Sequence, residues 1–64
     1  MKAAENLLLA VEHALRVERG HLQDLREDGW NDESLPVTAS EFNISMYRLA
    51  IEAYKTEIRK GGDQ

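Results

Sequence analysis

Apolar residues recur at helical spacing in two long segments of this chain. In the first, Leu7, Leu8, Val11, Ala14, Leu15, Leu22 and Leu25 fall within one broad arc when the chain advances about 100° per residue. The pattern predicts a helix over residues 3–28. It stops at Asp28-Gly29, and Gly29 suits the position just past a helix end because glycine takes positive φ without strain. Gly20 lies inside this helix, where it costs about 1 kcal/mol relative to alanine. It reads as a tolerated imperfection or, more sharply, as a point of close backbone approach or slight bending.

The second segment predicts a helix over residues 38–60. Thr38 and Glu41 have the T-x-x-E spacing of a capping box, and Val37 and Phe42 are spaced for a hydrophobic staple. Pro36 discourages helix at Leu35. Arg59 and Lys60 suit the negative end of the helix dipole, and residues 61–64 form a short tail expected to fray. The connection, residues 29–37, lets the second helix return antiparallel to the first. The expected fold is therefore all-α: an antiparallel helical hairpin in one domain, residues 1–64.

The second helix carries two apolar rows. Phe42, Met46, Leu49 and Ala53 lie within about 30° of their mean direction. Ile44, Tyr47, Ile51, Tyr54 and Ile58 form another row about 150° away. One row can pack on the first helix, and the other needs a different neighbour. The Phe42 row reads as the internal seam. The Ile44 row reads as a dimer interface, because tyrosines tolerate a half-wet contact. The assignment could be reversed. Two hairpins sharing a core would make a four-helix bundle with twofold symmetry. A heterologous protein could take the spare row instead.

Length and composition strengthen the expectation of association. A core within 64 residues rarely supplies much stability without a staple, a metal or a partner. The chain has no cysteine, so disulfides and thiolate metal clusters cannot supply it. A cytoplasmic setting fits that lack. The apolar run Leu7–Val11 is far shorter than the roughly 20 residues of a membrane span. Lys2 before that run mimics a signal peptide, but Glu12 and His13 interrupt it.

Net charge is −4, and residues 2–33 hold eight acids against four bases. This balance disfavours nucleic acid and anionic membranes, and favours a protein partner with a basic or apolar groove. Asp24, Glu27, Asp28, Asp32 and Glu33 crowd the hairpin tip around Trp30, opposed by Arg26. Trp30, Asp28, Asp32 and Glu33, with Tyr47 and Tyr54, are the candidate partner-binding residues, an aromatic set ringed by negative charge. Trp30 could equally cap the end of the core.

Candidate chemistry is sparse. Glu18 and His21 are three apart, a spacing that helical di-metal bundles use with further carboxylates. Glu18 could as simply pair with an arginine such as Arg48, and no cofactor is expected. No serine has an evident base, and a two-helix chain offers little of the concavity that catalysis needs. The chain reads as non-catalytic. Leu9, His13, Arg16 and Arg19 lie on the outward side of the first helix. In length, acidity and inferred architecture the chain is similar to the small homodimeric hairpins of the Rop type, which implies RNA binding through such a face. No motif of that type is matched here, so none of its residue roles carries over. The leading expectation is a small protein-binding regulator or inhibitor that acts by helix-mediated association.

Overall fold

The computed structural model describes residues 2–62. They form two packed helices, α1 (Lys2–Glu27) and α2 (Leu35–Gly62), with no strand among the described residues. The hairpin is a rod, 50 × 16 × 11 Å across its Cα atoms.

The end of α1 is set by Gly29, which has φ +96°. The Trp30 N–H donates to the Leu25 carbonyl and the Gly29 N–H to the Arg26 carbonyl, both at 3.1 Å. These two bonds make a Schellman cap and satisfy carbonyls the helix leaves open. In the turn, the Asn31 Oδ1 accepts from the Glu33 N–H at 2.9 Å. The Asn31 carbonyl accepts from the Ser34 hydroxyl at 2.7 Å.

α2 begins three residues before the expected Thr38. Ser34 occupies the cap position: its carbonyl accepts the first helical bond, from the Thr38 N–H at 3.0 Å. Pro36 therefore sits inside the first turn, where a missing N–H is no loss because those donors have no helical partner. The capping box is not made. The Thr38 hydroxyl donates to the Leu35 carbonyl and Glu41 binds Arg26, each at 3.1 Å. The staple is not made either, since Val37 is fully buried while Phe42 is exposed. At its other end α2 runs on through Gly61 and Gly62. Residues 63 and 64 of the expected tail lie outside the described residues.

The core is a single seam. Leu15 and Leu22 of α1 meet Val37, Ile44 and Ile51 of α2, with Leu8, Val11, Leu25 and Tyr47 packed against them. On α1 the inward positions step alternately by four and three: Ala4, Leu8, Val11, Leu15, Glu18, Leu22, Leu25. On α2 they are Val37, Ser40, Ile44, Tyr47, Ile51, Tyr54 and Ile58. This 3.5-residue repeat is what two helices need to keep one seam in contact along their length. The expectation that the Ile44 row forms a dimer interface is therefore corrected. Ile44 and Ile51 are buried against α1, and Tyr47, Tyr54 and Ile58 are partly buried in the same row.

Two inward positions are polar. The Ser40 hydroxyl, fully buried, donates to one oxygen of Glu18 at 2.6 Å. The Asn43 amide donates to the other at 3.3 Å. Glu18 thus pairs with α2 through neutral donors rather than with Arg48. A hydrogen-bonded polar layer of this kind fixes the register of two helices, because any slip strands a carboxylate among apolar neighbours.

Candidate interaction surface

The seam divides each helix into two flanks. In an antiparallel pair of right-handed helices, residues just before the inward positions of both helices share one face of the hairpin. Residues just after them share the opposite face. The observed contacts follow this rule. Arg19 and Arg26 follow inward positions of α1, and Glu41, Ser45 and Arg48 follow inward positions of α2; all five line one cleft. Arg26 bridges the helices there, reaching Glu41 at 3.1 Å and Asp32 at 3.3 Å. These ion pairs are solvent-exposed and add at most a few tenths of a kcal/mol each.

The other face is mostly apolar. It carries Ala3, Leu7, Ala10, Ala14 and Val17 from α1 and Ala39, Met46, Ala50 and Ala53 from α2, with the exposed Asn43 between Ala39 and Met46. Leu35, Phe42 and Leu49, two places before inward positions, extend it around the outside of α2. Ala14 and Ala50 are half-buried beside the seam. The large residues around them are open: Leu35 is 79% exposed, Leu49 64%, Phe42 63% and Val17 59%. Small residues in the middle and large ones at the margins leave a shallow trough along the hairpin. His21 and Asp24 close the row toward the tip, and Glu57 and Lys60 close it toward the far end, all of them exposed. An apolar strip with polar ends has the make-up of an interface core with its rim.

The residues marked out by the sequence fall in three places. Trp30 (49% exposed), Asp28, Asp32 and Glu33 stand together at the tip, with Asp32 already held by Arg26. Tyr47 and Tyr54 do not join them. They belong to the intramolecular seam, because the row they share with Ile44 and Ile51 faces α1. Glu18 turns into the seam while His21 stays exposed on the flank. No group of three or more metal-ligating side chains converges among the described residues. Leu9, His13, Arg16 and Arg19 are exposed as expected. Only Arg19 joins residues of the second helix, in the arginine-lined cleft that the sequence reading did not foresee. The signal for that cleft was present in the bases placed one after an inward position on both helices.

The trough is positioned entirely by the seam. Fixing Leu15, Leu22, Ile44 and Ile51 inward leaves Phe42, Met46 and Leu49 largely exposed. No helix of the described residues is long and apolar enough to cross a membrane. Compared with protein-family models, with curated proteins and with solved structures, the chain matches none of them.

Proposed function

We propose that this chain is a non-catalytic regulator that acts by binding protein, and that its first partner is a second copy of itself. The observation that carries the reading is the exposed apolar row of Phe42, Met46 and Leu49 along the α2 side of the trough. A face with this alternating four-and-three spacing suits another helix with the same spacing. Apposing the trough of one hairpin to that of its mate by a twofold axis would give a four-helix bundle. The smallness of the seam supports the same reading: among the described residues, Val37 and Ser40 alone are fully buried. A core so thin gains most from a shared one.

A further protein partner would meet the tip, where the exposed indole of Trp30 stands among Asp28, Asp32 and Glu33. A basic, partly apolar groove is the surface complementary to it.

The test is capture of an untagged copy by a tagged copy of the full chain. Recovery is expected for the parent sequence and loss of recovery for Leu49→Asp, with helical circular dichroism retained. Equal recovery of parent and variant would dismiss the trough as the contact.

A further inference from the structure

The face opposite the trough carries a basic cleft. It opens between the helices with a volume of about 330 Å³, lined by Arg19 and Arg26 of α1 and by Glu41, Ser45 and Arg48 of α2 over Leu22 and Ile44. Three guanidinium groups in one cleft are unexpected in a chain of net charge −4. Arg26 is committed, with Asp32 at 3.3 Å and Glu41 at 3.1 Å. Arg19 and Arg48 have no ion-pair partner among the described residues. Glu18, beside Arg19 in sequence, is turned away into the seam and held there by Ser40 and Asn43.

We propose that this cleft binds the phosphate group of a monoester, held by Arg19 from one helix and by Arg48 and Ser45 from the other. Guanidinium forks match oxyanions with paired N–H donors. A floor of Leu22 and Ile44 displaces water beneath the anion and strengthens those bonds relative to a flat, wet surface. A terminal phosphate presents three oxygens at one phosphorus, one for each donor side chain. A carboxylate presents two. A nucleic-acid diester also presents two, and its chain must run on past the cleft. On this face it would meet Glu41 on the tip side and, on the other, Glu12 and Glu52 interleaved with Arg16 and Lys55, so no continuous basic track extends from the cleft. The cleft therefore suits a single terminal group, carried by a small phosphate ester or by a phosphorylated side chain of a partner protein. It lies on the opposite face from the trough, so its occupation is independent of self-association.

The test follows the arginine Nε–Hε resonances of the isotope-labelled full chain at low ionic strength. The probes are orthophosphate, a phosphoserine peptide with its unphosphorylated twin, and single-stranded RNA lacking a terminal phosphate. Saturable shifts of Arg19 and Arg48 with orthophosphate are expected, while Arg59, near the far end of α2, stays near its starting position. Arg48→Gln should weaken binding about tenfold, the scale of one lost charge-assisted contact. Arg48→Lys, which keeps charge but not the fork, should fall between. Binding of the phosphoserine peptide more tightly than orthophosphate would assign the phosphate to a protein partner, and equal binding would assign it to a small ester. Non-saturating shifts, shifts matched by sodium chloride at equal ionic strength, or shifts with RNA alone would each overturn the proposal.

Discussion

Two rows of large apolar side chains run along α2, alike in composition and opposite in fate. Ile44 and Ile51 keep 7% and 8% of their exposure, whereas Phe42 and Leu49 keep 63% and 64%. Both rows are hydrophobic and both repeat at helical spacing, so hydrophobicity alone does not choose between them. The choice is made by α1. Its inward row runs from Ala4 to Leu25 in unbroken steps of four and three, and it needs a partner row of equal length. Val37 to Ile58 supplies one. The Phe42 row gives way to Thr56 and Lys60 before the helix ends. The longer row takes the seam, and the shorter one is left exposed.

The largest effect should come from breaking the seam. Ile44→Ala removes a buried side chain from a thin core, at about 2–4 kcal/mol. Thermal circular dichroism is expected to show lost helix and a lowered midpoint at every protein concentration. Phe42→Ala, by contrast, should lower the midpoint only where the parent is associated. Equal behaviour of the two variants would erase the distinction between the rows.

The polar layer offers the next largest change. Ser40→Ala leaves one Glu18 oxygen without its 2.6 Å donor in a part-buried site, an expected loss of about 1–3 kcal/mol. Glu18→Leu combined with Ser40→Ala, which removes both partners, should raise or preserve the denaturation midpoint, since apolar replacement of a whole polar pair is often neutral or stabilising. It should also broaden the amide spectrum as alternative registers become accessible. A sharp single-register spectrum for that variant would deny Glu18 its part in fixing register.

A third variant sharpens the contrast between open and packed surface. A Cβ built on Gly20 meets nothing within 4 Å. Gly20→Ala is therefore expected to stabilise the chain by up to about 1 kcal/mol through helix propensity alone. Chemical denaturation reads this directly, and a destabilised variant would mean that a backbone or partner approaches there after all. The smallest effect belongs to the charged face, where Arg26→Ala should cost a few tenths of a kcal/mol because both its partners are exposed.

Much of the fold was legible in the residues. Helical periodicity marked both helices, and Gly29 marked the end of the first within one residue. The surplus apolar row on α2 was also visible. What the residues did not settle was which row faces inward. A wheel drawn from apolar residues alone omits Ser40 and Glu18, and those two complete the four-and-three pattern that aligns the helices. The start of α2 was misjudged for a related reason. Thr38 and Glu41 have capping spacing, but Ser34 caps more cheaply because Pro36 then falls where no N–H is needed. The arginine cleft depends on both helices at once, and neither sequence segment announces it alone.

Sedimentation of the full chain over a wide concentration range tests the central claim most directly. The weight-average mass is expected to rise above the 7.3 kDa of one chain toward twice that value, and the Phe42→Asp, Leu49→Asp double variant to stay at the single-chain mass with its helices intact. A parent protein that remains at 7.3 kDa throughout, or a double variant that associates as the parent does, would contradict that claim.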